Sequence, residues 1–485
     1  MKLLFFIGTF LFVSAIWFRV NFGDIPFEQL LFHLRVPIGT GNLSAISSYF
    51  LFALPVTILA VFLILKGLQR IKNNKKNELA KLVWIRKVSL MMAVIVFLGG
   101  ITFGIITLHI PAYYHYRSNE SQNMEIYYVD PDSVNITFPE QKRNVIYLFA
   151  ESMESSFTNK ESGGIFTENY IPELTQLAQD DRYIHFSNTD QLGGAYQMPG
   201  LGWTIAGIVG QTAGLPLKIP ISGEENRMQE SFLPGAKSIG DILDDEGYHL
   251  EFMMGSDAEF GGRKYYLQQH GNFFINDHPF SIRDGRLPEE YYVDWGYEDE
   301  KLFNFAKARL EILAEESQPF YFGLLTVDTH FPNGHVYDDF PQPFDSQYGN
   351  AIYGSDHMIT DFIHWFEEQP FYENTTLVVA GDHLTMEQQF VKDKPDGYAR
   401  TTYNLFVNSA VQADDPQQKY RSFCTLDLFP TTLAAMGVEI EGDQLAYGVN
   451  LFSQKKTLVE ELGYQKFQQM LQPYSSFYEN EFFYK

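Results

Sequence analysis

Three long apolar runs before His109 constrain this chain more than any other feature of its sequence. They cover Leu3–Phe18, Tyr49–Leu65 and Ser89–Ile110. The second and third approach the ~20 apolar residues that a helix needs to cross a bilayer. The first is shorter, but Trp17–Arg19 offers no small-residue cleavage site, so we interpret it as a retained signal-anchor helix. The sequence therefore predicts a membrane region with three transmembrane helices within residues 1–118.

The segment between the second and third runs is strongly basic. Positively charged residues that flank membrane helices are typical of the cytoplasmic side. The third run then leads outward, and we expect everything after about Tyr113 to be the extracytoplasmic part of a multi-pass plasma (inner) membrane protein. A soluble helical hairpin is the alternative, which the near absence of charge within the two runs disfavours. Glu78 is the single acidic residue of this basic segment. Its basic residues are Lys66, Arg70, Lys72, Lys75, Lys76, Lys81, Arg86 and Lys87.

Charge is divided unevenly along the chain. Residues 1–118 contain 12 Lys and Arg against 3 Asp and Glu, whereas the remaining residues contain 23 against 57. An outer part this acidic excludes electrostatic binding of nucleic acid, and any phosphate must be held by locally placed cations or a metal. Cys424 is the only cysteine, which rules out a disulfide within the chain, and its apolar surroundings predict a buried core thiol.

The remainder of the chain alternates between strand-like and helix-like segments. A polar, turn-rich linker is predicted over 119–143, an α/β domain over 144–461 and an aromatic-rich tail over 462–485, which either packs on the domain or meets the membrane surface. Alternation of this kind indicates a largely parallel sheet with helices on both faces. The predicted strands are 144–150, 182–187, 248–254, 319–327 and 375–381. The predicted helices are 171–180, 203–213, 236–246, 298–316, 351–368 and 426–437.

Two of the predicted strands run directly into acidic or imidazole side chains. The segment NVIYLFAES reaches Glu151, and VVAGDH ends on Asp382 and His383. Because the carboxyl ends of parallel strands meet at one edge of a sheet, where such sheets bind ligands, these side chains are expected to converge. A third segment, GWTIAG, adds the hydroxyl of Thr204 near the start of a helix.

This set of side chains favours a metal site that contains a nucleophile. Two carboxylates, a hydroxyl and an imidazole suit one divalent ion, with Mn²⁺ preferred and Mg²⁺ or Zn²⁺ possible. A metal beside Thr204 lowers the pKa of its hydroxyl and makes it a usable nucleophile. Taken singly, Glu151 is read more simply as half of a salt bridge and Thr204 as a helix cap. The three segments together favour the site.

The same segments carry a resemblance to a known family. Asn144–Ser152, Gly202–Gly207 and Gly381–Met386 (GDHLTM) resemble the signature segments of membrane-anchored phosphoglycerol transferases. These enzymes are relatives of lipoteichoic acid synthase in the alkaline phosphatase and sulfatase superfamily. Phe32–Asn42 (FHLRVPIGTGN) brings the likeness closest to members that modify periplasmic glucans, and the similarity extends to about Met436. It implies a sulfatase-like α/β/α sandwich after the membrane helices.

The resemblance also implies roles for individual residues. Thr204 is expected to be both nucleophile and metal ligand. Arg263, in GSDAEFGGR, matches an arginine that contacts the substrate phosphate, and His330, in TVDTHFP, matches a substrate-site histidine able to donate a proton to the leaving oxygen. Without the resemblance, a surface arginine and a strand-end histidine would be the simpler readings. The implied metal ligands are Glu151, Thr204, Asp382 and His383.

The reaction implied by the resemblance is transfer of glycerophosphate. Phosphatidylglycerol is the expected donor, a hydroxyl of a glycan or polymer the acceptor, and diacylglycerol the released product. A phosphodiesterase or phospholipase-like hydrolase and an inactive glycan-binding scaffold remain alternatives. A phosphoethanolamine transferase is disfavoured, since those enzymes usually carry several disulfides. Sulfatase chemistry requires Cys or Ser followed by Pro and Arg, and the segment around Thr204 lacks this pattern.

Overall fold

A computed structural model describes the whole chain except residues 24, 26, 36–41, 74–78, 122, 219–229 and 414–417. Part of the basic segment, including Lys75, Lys76 and Glu78, lies outside the described residues, as does most of the segment Phe32–Asn42. The chain divides into two compact units. One comprises Met1–Leu31 with Thr40–His115, and the other comprises Phe32–Gly39 with Tyr116–Lys485.

The first unit contains helices long and apolar enough to cross a membrane. The candidate spans are Lys2–Asn21, Tyr49–Ile71 and Val83–Thr107, with mean hydropathies of 2.1, 2.4 and 2.4. The three predicted apolar helices are thereby confirmed. The described helices of this part of the chain are α1 (Lys2–Phe22), α2 (Phe27–Arg35), α3 (Asn42–Asn73), α4 (Leu79–Thr107) and α5 (Ile110–Ser118).

The second unit is built from short strands and helices that alternate. Its described strands are β1 (Ile136–Thr137), β2 (Asn144–Ala150), β3 (Ala195–Tyr196), β4 (His249–Met254), β5 (Phe274–Asn276), β6 (Phe320–Leu325), β7 (Thr375–Gly381), β8 (Thr401–Thr402), β9 (Asn404–Val407), β10 (Glu439–Ile440), β11 (Gln444–Leu445) and β12 (Gly448–Val449). Its described helices are α6 (Met124–Tyr127), α7 (Pro172–Ala178), α8 (Thr204–Ala213), α9 (Ile239–Asp245), α10 (Arg263–Gln269), α11 (His278–Arg283), α12 (Asp299–Glu315), α13 (Gln347–Glu367), α14 (Leu428–Ala435), α15 (Leu458–Leu462), α16 (Tyr464–Leu471) and α17 (Ser476–Phe482).

A six-stranded sheet forms the centre of this unit, with strand order β5-β4-β6-β2-β7-β9. All neighbours are parallel except β7 and β9. Side chains of β2 alternate between two cores, with Tyr147 and Phe149 on one face and Ile146 and Leu148 on the other. A strand buried on both faces reads as a continuous apolar run because each face is covered by helices. The predicted α/β fold with a largely parallel sheet is confirmed.

Most predicted elements agree with the structure, but the strand expected over 182–187 was wrong. Only Ile184 of that segment pairs with the sheet, through an isolated bridge to Phe406. The neighbouring backbone is satisfied by side chains instead, since Phe186 N–H donates to Asn404 Oδ1 at 3.0 Å. The sequence analysis also missed β5 and β9, two short edge strands.

The segments that flank the domain are attached to it. Within the predicted linker, β1 pairs with β10 in antiparallel fashion. In the tail, Phe467 and Phe482 are fully buried in the core on one face of the sheet. The tail therefore packs on the domain, a point that the sequence left open. Cys424 is buried, as predicted.

Candidate active site at the carboxyl edge of the sheet

The strand register brings two carboxylates together at one edge of the sheet. Ala150, the last residue of β2, is paired with Gly381, the last residue of β7. Glu151 and Asp382 therefore emerge side by side, and both are buried. Ser152 follows in a left-handed conformation, with φ at 53°, and its N–H donates to Asp382 Oδ1 at 2.8 Å.

Thr204 is placed by a helix that packs unusually close to these strand ends. It is the first residue of α8, and its hydroxyl donates to Glu151 Oε2 at 3.2 Å. A Cβ added to Gly207 would lie 2.2 Å from the carbonyl oxygen of Asp382, so only glycine permits this approach. One turn further, Gln211 Nε2 donates to the same carbonyl at 3.2 Å. The helix is thus fixed against a candidate metal ligand.

Three of the four predicted ligands form a compact buried cluster. One ligand atom each from Glu151, Asp382 and His383 lie within 4.8 Å of one another. His383 Nδ1 donates to the carbonyl oxygen of Leu384 at 2.9 Å, so Nε2 is the ring nitrogen that faces the cluster. Asp382 Oδ2 and His383 Nε2 are buried without a hydrogen bond among the described residues, and Nε2 lies 3.4 Å from Glu151 Oε1 and 3.5 Å from Asp382 Oδ2.

These two orphaned atoms are what a bound cation would satisfy. Buried polar atoms are normally paired, and the exceptions call for an explanation. Two carboxylates, a hydroxyl and an imidazole nitrogen match the ligands of a divalent metal. The residues present therefore fit the predicted metal site. The structure brings Glu151, Thr204, Asp382 and His383 together, while their role as ligands stays a prediction.

The three ionisable groups of the cluster shift one another's pKa values strongly. Burial and the charge of Glu151 raise the pKa of Asp382 to about 8. Burial disfavours charge on His383, but Asp382 and Glu151 outweigh it and raise its pKa to about 10. Burial likewise opposes ionisation of Glu151, yet His383 and His330 lower its pKa to about 2. Without a metal, a proton on His383 balances the carboxylates, and a divalent ion would take over that function.

Arg263 adds a buried cation to the same region. It begins α10, and its Nη2 donates to the carbonyl oxygen of Asp257 at 2.8 Å. Two successive glycines, Gly261 and Gly262, precede it with φ of 65° and 74°, a left-handed turn that favours glycine and directs Arg263 inward. Burial lowers the pKa of Arg263 to about 10, with Asp257 and Glu151 acting in the opposite direction, so it stays charged at neutral pH.

His330 lies on the loop that follows β6. The hydroxyl of Thr329 donates to the carbonyl oxygen of Glu151 and ties this loop to the end of β2. His330 Nδ1 faces the carbonyl oxygen of Phe331 at 2.6 Å, which places its proton on Nδ1 and a lone pair on Nε2. Burial lowers the pKa of His330, so the neutral form prevails at neutral pH.

Sequence reasoning missed an ion pair that supports the site. Glu154, fully buried, pairs with Arg400, and its Oε1 accepts the N–H of Thr385 at 2.8 Å. Arg400 donates to the carbonyl oxygen of Thr385 at 3.0 Å. The pair therefore binds both the N–H and the carbonyl oxygen of Thr385, two residues after His383. Glu154 lies three residues after Glu151, but no signal in the sequence connects it with Arg400.

The chain is similar to proteins of known family. The profile of the Sulfatase family matches residues 143–438, more than half of the chain. This chain belongs to the sulfatase family. Phosphoglycerol transferase I of Shigella flexneri is 32% identical over 306 residues, which cover 60% of this chain and 36% of that protein. The chain thus spans about a third of the length of the curated relatives it matches.

Solved structures support the fold. A protein of the alkaline phosphatase superfamily from Vibrio parahaemolyticus superposes with a TM-score of 0.53 and 20% identity, covering 71% of this chain and 81% of that one. The lipoteichoic acid synthase LtaP from Listeria monocytogenes gives a TM-score of 0.50 and 17% identity, with coverage of 69% and 82%. The predicted membership of the alkaline phosphatase and sulfatase superfamily is confirmed.

Proposed function

We propose that this chain is a membrane-bound, metal-dependent phosphotransferase that moves glycerophosphate from phosphatidylglycerol to a hydroxyl of an extracytoplasmic glycan or polymer. The observation that carries the proposal is the Thr204 hydroxyl, held 3.2 Å from Glu151 Oε2 at the edge of a buried carboxylate and imidazole cluster. Relatives named phosphoglycerol transferase I support the choice of the transferred group. They match 60% of this chain.

In the first step, Thr204 Oγ attacks the phosphorus of the donor. The bond between phosphorus and the diacylglycerol oxygen breaks, and the proton that Thr204 donates toward Glu151 Oε2 ends on the diacylglycerol oxygen. Diacylglycerol leaves as the alcohol, and glycerophosphate remains on Thr204. Arg263 is charged and close enough to Glu151 and Asp382 to interact with them electrostatically, a position from which it binds the non-bridging oxygens. A divalent metal held by Glu151, Thr204, Asp382 and His383 would supply Lewis acidity that lowers the pKa of the hydroxyl.

In the second step, the acceptor hydroxyl displaces Thr204 from phosphorus. Neutral His330 has its lone pair on Nε2, because Nδ1 donates to the carbonyl oxygen of Phe331. The side chain is therefore suited to take the proton of the acceptor hydroxyl. Donation of a proton to diacylglycerol, the role predicted from the resemblance, requires the doubly protonated ring, which burial disfavours.

We further propose Mn²⁺ as the preferred metal, because three of the four ligands are oxygen donors. The domain is proposed to lie outside the cytoplasm, in agreement with the basic segment between the second and third candidate spans. Attachment to the bilayer suits this reaction, since both the donor and diacylglycerol stay in the membrane and tethering raises their effective concentration.

The proposal is tested with the full chain reconstituted into vesicles that contain phosphatidylglycerol labelled in its headgroup glycerol. Wild type should release diacylglycerol and transfer the label to an added glycan. Thr204→Ala should lose at least about a thousandfold in diacylglycerol release, whereas Thr204→Ser keeps a hydroxyl and should retain part of it. Unchanged turnover in Thr204→Ala would falsify the mechanism. Label found only as free glycerophosphate would identify a hydrolase, and label that stays in the lipid would reject the donor.

A further inference from the structure

An aromatic side chain without a role in the proposed reaction lies beside His330. The ring centroids of Trp295 and His330 are 4.3 Å apart, with an interplanar angle of 55°. On its other side, Trp295 contacts Phe260 at a centroid distance of 5.7 Å, and the Arg263 guanidinium lies 5.5 Å from the centre of the Phe260 ring. Trp295 therefore contacts His330 directly and is linked to Arg263 through Phe260.

The backbone holds this indole firmly in place. Trp295 occupies a tight turn in which Val293 and Gly296 exchange two hydrogen bonds of 2.8 Å. Gly296, with φ at 149°, lies so close to Gly255 that an added Cβ would be 2.1 Å from the Gly255 carbonyl oxygen. Gly255 begins the loop that leads to Arg263. The turn that carries the indole is thus fixed to the same loop as the phosphate-binding arginine.

The half-buried ring lines a small cavity whose walls are partly polar and partly apolar. The cavity has a volume of about 210 Å³, and Trp295 and His330 line it together with Asp294, Glu298 and His335. A pocket with one aromatic wall and a few fixed polar groups is typical of a site for a small organic group. Its size suits a glycerol or a single sugar unit rather than an acyl chain.

The charges around the cavity favour a neutral ligand. Asp294 contacts His335 at 2.7 Å, and Glu298 is paired with Lys301. Asp328, which also lines the cavity, accepts hydrogen bonds from the N–H of Asp299 and from the Tyr337 hydroxyl. Because each of these carboxylates already has a hydrogen-bond or ion-pair partner, the cavity offers no unpaired carboxylate to an ammonium group among the described residues. The carboxylate oxygens can still accept hydrogen bonds from hydroxyl groups. An uncharged group with several hydroxyls, whose C–H face packs on the indole, satisfies both features.

We propose that Trp295 and this cavity form a polyol subsite that makes Trp295 a specificity-determining residue. The ligand is the hydroxylated group joined to the reacting phosphate, either the glycerol of the donor or a sugar of the acceptor. This inference rests on the proposed function, because it takes the phosphate to be held between Thr204, Arg263 and His330. It adds a contact that selects the group attached to that phosphate.

The test compares three variants of the full chain in vesicles. Trp295→Ala removes the ring, Trp295→Phe keeps an aromatic face, and Tyr292→Ala is the matched control. Tyr292 is a 43% exposed aromatic side chain three positions away, and it packs on His278 rather than on His330. The substrates are phosphatidylglycerol, phosphatidylethanolamine and bis(p-nitrophenyl) phosphate, of which only the first carries a polyol.

The expected result is a selective loss of polyol recognition. Trp295→Ala should lower kcat/KM for the polyol substrate about tenfold, mainly through KM, as loss of one aromatic contact predicts. Trp295→Phe should stay within about threefold of wild type, and Tyr292→Ala should be unchanged. Turnover of bis(p-nitrophenyl) phosphate should fall much less than turnover of phosphatidylglycerol in Trp295→Ala, and it should be unchanged in Tyr292→Ala. A loss in diacylglycerol release without acceptor assigns the polyol to the donor, and a loss only in transfer to added glycan assigns it to the acceptor.

Other outcomes overturn the subsite. An equal loss with bis(p-nitrophenyl) phosphate would mean that Trp295 only supports His330. The subsite would also be rejected if Trp295→Ala lost neither diacylglycerol release from phosphatidylglycerol nor transfer to added glycan. A loss with phosphatidylethanolamine alone would reject it as well. Failure of the proposed function is recognised separately, since wild type itself would then cleave the aryl diester but release no diacylglycerol from phosphatidylglycerol.

Discussion

The hydroxyl of Thr204 lies 3.2 Å from Glu151 Oε2, although the two residues are 53 positions apart in the chain. Neither the strand nor the helix produces this distance alone. It depends on how closely α8 approaches the end of β7, where Gly207 faces the carbonyl oxygen of Asp382 and Gln211 donates to it. The nucleophile and the candidate metal ligands are thus positioned by backbone contacts between two elements.

Gly207→Ala should separate the nucleophile from the cluster. Its Cβ would lie 2.2 Å from a backbone oxygen that cannot move without shifting Asp382. We expect at least about a tenfold loss of turnover and weaker metal binding, since small displacements of reacting groups are costly. Gly210→Ala is the control on the same helix, because its Cβ would crowd a flexible side-chain end, that of Leu201, and would meet Leu426 at ordinary contact distance. Equal turnover in the two variants would contradict the argument.

The central fold could be predicted because buried parallel strands have a strong pattern. β2 and β7 are unbroken apolar runs that end in charged residues, and the structure gives the predicted limits of 144–150 and 375–381. Parallel pairing alone then places Glu151 beside Asp382. That step needed only the rule that ligands bind at the carboxyl edge of such sheets.

The remaining features depend on contacts that leave no local pattern. β9 has four residues and runs antiparallel at the sheet edge, so neither its length nor its direction could be read from periodicity. The ion pair between Glu154 and Arg400 joins residues 246 positions apart. The contact of Trp295 with His330 likewise depends on a turn packing against Gly255. Tertiary packing, rather than propensity, decides each of these.

Removal of the Arg400 guanidinium should weaken both the fold and the site. Arg400→Met leaves the fully buried Glu154 carboxylate without its cation, and breaking a buried ion pair by removing one partner costs about 3–5 kcal/mol. Metal affinity should also fall, because Arg400 holds the backbone near His383. Arg421→Met is the control, since Arg421 pairs with Glu460 outside the cluster. It should lower the Tm without changing metal affinity, and a similar loss of affinity there would contradict the local role of Arg400.

Chelation should remove activity and lower the Tm of the full chain. A metal that binds only the folded state at a hundred times its Kd adds about 2.7 kcal/mol to the free energy of unfolding. Mn²⁺ should restore both quantities more readily than Zn²⁺, and His383→Gln should abolish the response. His357→Gln, at a partly exposed histidine paired with Glu173, should respond like wild type. Recovery with Zn²⁺ alone would overturn the metal preference, and an unchanged Tm in wild type would argue against the site.

A buried pair of carboxylates behind the His330 loop should make stability fall as pH rises. Asp299 accepts the N–H groups of Val327 and Asp328, and burial raises its pKa to about 7 against about 3.9 in an unfolded chain. Burial and the charge of Asp299 also raise the pKa of Asp328. The folded state therefore binds more protons, so the stability contributed by Asp299 is complete below about pH 4 and lost as pH rises through about 7.

Melting of the full chain between pH 5 and 8, with chelator present to exclude metal binding, measures this loss. Wild type should lose on the order of 1–3 kcal/mol across that range through this pair. Asp299→Asn removes one titrating group and should reduce the slope of the Tm against pH. Asp338, an exposed residue eight positions after His330, provides the control. Asp338→Asn should leave the slope unchanged. A slope in Asp299→Asn as steep as in wild type would show that other groups govern the pH dependence.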